Sequence, residues 1–165
     1  MKSRICSVLA TLLMLALLAC ALLHTVPKLF GYQIYSVLTP SMTPALPVGC
    51  AVYVKACDPA ALQAGDIVTY SKGTGSDLSE THRVVSNDVD SGKLTTKGDA
   101  NAGEDIYPVL YSQVLGVVTF SVPCLGAAAM ALQSPGGIAV CIVIFALAFL
   151  LWALADKFKK RESFK

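Results

Sequence analysis

Charge is scarce in this chain: Asp, Glu, Lys and Arg make up 15% of its 165 residues, against 55% hydrophobic ones. That balance is too apolar for an ordinary soluble domain, and the length leaves room for one domain. Basic surface is also missing where a nucleic acid would need it. The formal charge is +2, but residues 24–137 carry six Lys and Arg against nine Asp and Glu, so the excess belongs to the flanks. A nucleic-acid partner is excluded, because no basic stripe is present to neutralise phosphates. Of the six cysteines, Cys6, Cys20 and Cys141 fall inside apolar runs, where cysteine behaves as a small hydrophobe. Cys50, Cys57 and Cys124 are odd in number and lack metal-type spacing. If Cys50 and Cys57 bracket one strand, their Cα atoms stand about 23 Å apart, beyond the ~7 Å reach of a disulfide. These three are expected as unpaired thiols. The chain also lacks internal repeats, low-complexity tracts and, between Leu46 and Val122, any helical periodicity.

What is present in excess is apolar length. Ile5–Leu23 and Ile138–Ala155 contain no charge, and at ~1.5 Å rise per residue each nearly crosses the roughly 30 Å hydrocarbon layer. Both read as membrane spans. Lys2 and Arg4 precede the first, and Lys157, Lys159, Lys160, Arg161 and Lys165 follow the second. The positive-inside rule then places both termini in the cytoplasm and the middle of the chain outside. The resulting division is 1–23 (N-terminus and span), 24–137 (extracytoplasmic domain), 138–155 (span) and 156–165 (basic tail). A cleavable leader would have a shorter apolar core. A lipoprotein box at Leu17-Leu18-Ala19-Cys20 would turn polar afterwards, whereas Ala21, Leu22 and Leu23 follow. An uncleaved anchor in the cell membrane is the preferred reading.

Phe30, Tyr32 and Tyr35, in the segment 24–38, read as aromatics at a membrane interface. Strands are expected at Cys50–Lys55, Ile67–Tyr70, Thr81–Val85, Lys93–Lys97 and Val114–Val122, from β-branched and aromatic content bounded by turn residues. Lys72–Ser79 reads as a polar loop. Short strands without intervening helices predict a mostly β fold, a compact barrel or sandwich flanked by two transmembrane helices. Cys124–Leu132 is read as a short interfacial helix, broken by Ser134-Pro135-Gly136-Gly137.

The chemistry centres on Thr39-Pro40-Ser41-Met42-Thr43-Pro44. Pro40, Pro44 and Pro47 disfavour helix and predict a stiff loop that presents Ser41. A hydroxyl becomes a nucleophile when a neutral base takes its proton, and histidine suits that task near neutral pH. His82 lies on an expected strand of the domain; His24 lies at the membrane edge. Lys72, Lys93 and Lys97 sit in polar, turn-like contexts, whereas a lysine base must be desolvated. Histidine needs an orienting acceptor, and Lys97-Gly98-Asp99-Ala100-Asn101-Ala102-Gly103-Glu104-Asp105 supplies carboxylates on a loop. Its spacing does not fit an EF-hand, so no calcium site is expected, nor any other metal or cofactor. Asp99, directly after Gly98, is expected to hold the loop closed with Asn101 by accepting backbone hydrogen bonds.

The order of these segments resembles type I signal peptidase, in the branch that uses serine and histidine instead of serine and lysine. The resemblance runs from the first span to about Val118: Ser41-Met42 with Pro44, Leu46-Pro47-Val48-Gly49, Gly65-Asp66-Ile67-Val68, His82-Arg83-Val84, Thr96-Lys97-Gly98-Asp99 with Asn101 and Asp105, and Val114-Leu115-Gly116-Val117-Val118. It implies Ser41 as nucleophile, His82 as general base and Asp105 as its acidic partner, with Asp99 in a structural role. It also implies an oxyanion site made of the Ser41 N–H and the Thr39 hydroxyl. The chain departs from the family pattern at Pro40, where glycine is usual, and at Thr43, where an acidic residue is common. The implied activity is membrane-bound endopeptidase cleavage of preprotein signal peptides. The alternatives are a membrane-tethered serine protease with a few pilin-like or biofilm substrates, and a non-catalytic anchored binding domain. A sortase is disfavoured, since its cysteine box is absent.

Overall fold

A computed structural model describes residues 2–73 and 78–163. The loop expected at Lys72–Ser79 lies partly outside them, as do the side chains of His24 and of the terminal Lys2, Arg4, Lys160 and Arg161. The chain divides into two units. One comprises residues 1–26 and 130–165, and the other residues 27–129.

The first unit is helical. Helix α1 spans Lys2–Leu29 and α3 spans Pro135–Ser163. Both are long and apolar enough to cross a membrane, over Ser7–Leu29 and Pro135–Lys157. Leu12, Leu18, Phe149 and Trp152 are exposed, which lipid would tolerate and water would not. α1 runs six residues past its apolar stretch and stops where Gly31 takes φ +79°, a left-handed conformation that glycine adopts without strain. The expected break at 134–137 is one residue wide. Helix α2 spans Leu125–Gln133, and Ser134 Oγ then accepts from the Gly137 N–H at 3.1 Å, capping α3 with Pro135 at its first position.

The second unit is a seven-stranded antiparallel sheet curled into a half-barrel: β1 (Tyr32–Ser36), β2 (Ala51–Lys55), β3 (Ile67–Ser71), β4 (Ser79–Asp88), β5 (Lys93–Lys97), β6 (Val109–Leu110) and β7 (Val114–Val122). The spatial order is β1-β2-β7-β3-β4-β5-β6, so β7 joins two halves. Extra residues interrupt the register of β7 against both β2 and β3, and of β4 against β5. Such bulges bend the strands and let one sheet wrap around a core.

All five expected strands form. β1 is a correction, because the tyrosines read as interface aromatics pair in register with β2, Tyr32 opposite Lys55 and Tyr35 opposite Val52. Tyr32 also packs edge-on against Phe120. Strand pairing satisfies the backbone there, and aromatic side chains fit a pleated surface as well as a bilayer edge. The two-residue β6 was too short to stand out. Two apolar clusters fill the curl: Leu62, Val68, Tyr70, Val84, Leu94 and Val109, and Met42, Leu46, Cys50, Val52 and Val54. Cys50, Cys57 and Cys124 are free thiols, as expected from their spacing.

Candidate active site

Ser41 occupies a 3-10 turn, Pro40–Met42, where a stiff non-helical loop was expected. Pro40 stands at the turn's first position, where a missing N–H has no partner to lose and a fixed φ suits the helical path. Met42 is buried in the second cluster and pins the turn to the sheet. The Leu46 N–H donates to Met42 O at 2.8 Å, and the Ala100 N–H donates to Ser41 O at 2.8 Å. The turn is thus tied both to its own loop and to the acidic loop, and the Ser41 side chain stays partly exposed.

His82 is placed by strand register. Cross-strand partners share a face of a sheet, and Val68 lies opposite His82, Tyr70 opposite Glu80, and Thr96 opposite Val84. Tyr70, Glu80, His82 and Thr96 therefore converge inside the curl. Asp105 reaches them from the loop after β5, held by its N–H donating to Thr96 O at 2.8 Å.

The distances order these groups into a relay. Ser41 Oγ lies 3.3 Å from His82 Nε2, and His82 Nδ1 lies 2.6 Å from Asp105 Oδ2. The His82 side chain is 4% exposed, so water contributes little to holding it and protein groups must do so. Thr96 Oγ1 donates to Asp105 Oδ2 at 2.7 Å, and the Tyr70 hydroxyl lies 3.3 Å from the same oxygen. Burial, with the nearby Glu80 and Asp105 carboxylates adding to it, pushes the Tyr70 phenol far above its ordinary range, so it stays a donor. Thr39 stands at the N-terminal flank of the turn without a side-chain capping bond, and its Oγ1 lies 3.3 Å from Ser41 Oγ.

Asp99 does a different job from the one its turn position suggested. Its carboxylate takes a two-point contact from Arg83, Nε at 2.8 Å and a terminal nitrogen at 2.6 Å. Arg83 also donates to Gly65 O at 2.8 Å, so three chain segments are tied on the face opposite His82. The Arg83 contact holds the Asp99 carboxyl below its usual value and raises the guanidinium. The backbone bond that closes the loop is Asn101 N–H to Gly98 O at 2.9 Å. A planar guanidinium offers a carboxylate two parallel donors, which outcompetes a local turn bond.

The structure thus brings Thr39, Ser41, His82 and Asp105 together and sets Asp99 apart. Sequence reasoning missed Tyr70 and Glu80, and assigned Thr96 no task. Their signal was the strand alternation that puts Tyr70, Glu80, His82 and Thr96 on one face, legible only once the pairing register is known. Of the lysines weighed as bases, Lys72 Nζ pairs with Glu80 at 3.1 Å and Lys97 Nζ reaches Ala102 O at 3.4 Å.

No family model matches the chain. Signal peptidase I W of Bacillus subtilis (strain 168) is 38% identical over 86 residues, which is 50% of this chain and 44% of that protein. The match therefore spans under half of the curated relative's length. That match accompanies two helices long and apolar enough for a membrane and a half-barrel that carries a serine, a histidine and an aspartate in contact, and over half its length the chain is similar to a type I signal peptidase.

Proposed function

We propose that this protein is a membrane-bound serine endopeptidase of the serine–histidine kind that removes signal peptides from exported preproteins. The observation that carries the reading is the chain of contacts Ser41 Oγ to His82 Nε2 at 3.3 Å and His82 Nδ1 to Asp105 Oδ2 at 2.6 Å. The first is long for a hydrogen bond, as catalytic contacts often are before substrate binds. Ser41 Oγ attacks the scissile carbonyl while His82 Nε2 takes its proton. Asp105 accepts from Nδ1–H, which fixes the reactive tautomer and stabilises the imidazolium. The imidazolium then protonates the leaving amine, and water hydrolyses the acyl-enzyme with His82 again as base. The negative oxygen formed on the way needs donors already in place. The Ser41 N–H, in the first turn of a helix and so without an intrahelical partner, and the Thr39 hydroxyl are the candidates.

Two features support the substrate class. The relative's name is that of a signal peptidase. Helices of membrane-crossing length would also anchor the chain in a bilayer, where signal segments are found. The basic residues at both ends favour cytoplasmic termini, with residues 24–137 as the extracytoplasmic catalytic domain. Substrate would bind extended, adding a strand beside the site.

The test is incubation of the detergent-solubilised full chain with a preprotein, comparing wild type with Ser41→Ala. The reading expects a discrete mature product from wild type alone. Equal cleavage by both proteins, or none by either, would overturn it.

A further inference from the structure

Tyr70 is a buried titratable group to which the relay of Ser41, His82 and Asp105 gives no task. Its ring belongs to the apolar cluster with Val68, Val84 and Leu94, yet its hydroxyl enters the polar pocket. Three candidate acceptors lie within 3.4 Å of that oxygen, Glu80 Oε2 at 3.2 Å, Asp105 Oδ2 at 3.3 Å and His82 Nδ1 at 3.4 Å, and the Thr96 hydroxyl, whose own proton goes to Asp105, also interacts with it. A phenol has one proton to give. Asp105 Oδ2 already receives the closer His82 and Thr96 donors, at 2.6 and 2.7 Å. His82 Nδ1, in the tautomer that donates to Asp105, has no lone pair free. Glu80 is the nearest and least crowded acceptor. The other oxygen of Glu80 lies 3.9 Å from His82 Nε2, the nitrogen that carries the proton during turnover, and 3.1 Å from Lys72 Nζ.

We infer that Tyr70 is a positioning residue that acts through Glu80: its single hydroxyl proton holds the Glu80 carboxylate towards Nε2, so that the imidazolium of His82 has a second negative neighbour besides Asp105. The consequence for turnover rests on the endopeptidase reading above. The effect on His82 belongs to the folded protein, whatever it cleaves.

The sign follows from the groups around the ring. Asp105 faces it from the loop after β5, Tyr70 from β3, Glu80 from β4 and Ser41 from the 3-10 turn, with Lys72 beyond Glu80. Asp99, engaged by Arg83, adds a weaker field. A carboxylate about 4 Å from Nε2 favours the charged imidazolium, so removing it lowers the pH at which His82 titrates. Tyr70→Phe frees Glu80 to turn wholly to Lys72 and lowers it too. Were the Tyr70 proton given to Asp105 instead, its loss would make Asp105 a stronger acceptor, and His82 would titrate at higher pH.

The experiment is an NMR titration of the His82 imidazole in the detergent-solubilised full chain, with His82→Ala distinguishing its signals from those of His24. Wild type, Glu80→Gln, Tyr70→Phe and the double variant are compared. Each single change is expected to lower the midpoint by about half a unit to one unit, and the double variant no further than the larger single effect. The acid limb of kcat/KM should move with it while KM stays within about twofold. An upward shift in Tyr70→Phe, no shift in Glu80→Gln, or an additive fall in the double variant would overturn the inference. Glu80→Gln, at a partly exposed position, keeps the test decisive if Tyr70→Phe disturbs the core. Loss of the endopeptidase reading would appear as Ser41-independent cleavage and leave the titration result standing.

Discussion

Two aspartates six residues apart divide the work of one loop. Asp105 lies 2.6 Å from the buried His82, and Asp99 is clasped by Arg83 at 2.6 and 2.8 Å. Asp105→Asn is expected to stay folded and to lose about 10⁴ in turnover, the scale of the serine-protease template when the histidine is held in the wrong tautomer. Asp99→Asn should instead lower Tm by several degrees while cleavage per folded molecule stays near wild type. The pH dependence has a definite direction. Arg83 depresses the folded-state value of Asp99, so its stabilisation is complete above the ordinary carboxylate value of about 3.9 and is lost as pH falls below that through the folded value. The Tm gap between wild type and Asp99→Asn should therefore be widest near neutral pH and close in acid. Melting temperature and cleavage rate, recorded together for both variants, decide the matter. A stable, inactive Asp99→Asn beside an active Asp105→Asn would exchange the two roles.

Among elements, the contact that matters most is between the 3-10 turn and the acidic loop. A Cβ added at Gly98 would lie 2.7 Å from Asn101 Nδ2 and 2.8 Å from Ser41 O. The amide of Asn101 can swing away. The Ser41 carbonyl cannot, because it accepts the Ala100 N–H, and moving it moves the proposed nucleophile. Gly98→Ala is expected to cut cleavage about 100-fold, the cost of misplacing a reacting group by roughly an ångström. Gly103→Ala in the same loop meets nothing within 4 Å and should cleave as wild type. Equal rates for the two variants would mean that this contact does not set the position of Ser41. Strand β3 makes a related point, since its residue Tyr70 belongs at once to the apolar core and, through its hydroxyl, to the site. A strand buried on both faces has no polar alternation to expose such a residue, which is why Tyr70 read only as a strand former.

For the whole molecule, the proposed sidedness makes a test in intact cells. Cys124, an exposed thiol in the half-barrel unit, should react with a membrane-impermeant maleimide. Lys159→Cys in a Cys124→Ser background should react only after the membrane is permeabilised. Labelling of Lys159→Cys in intact cells would refute cytoplasmic termini. The apolar runs and five of the seven strands were legible in the sequence, because hydropathy and strand content are local properties; Ser41 and His82 stood out there as candidates because possible bases were few, and Asp105 was singled out by the family resemblance. β1 was not legible, because aromatic residues serve a sheet and a bilayer edge equally until a pairing partner is known. Pro40 read as a helix breaker, yet at the first position of a short turn it is compatible with helix. Only the tertiary structure decided that Asp99 answers to Arg83, that Thr96 and Tyr70 converge on Asp105, and that Glu80 stands beside Nε2. Each of those facts depends on the register between paired strands. A shift of one residue would turn every such side chain to the other face.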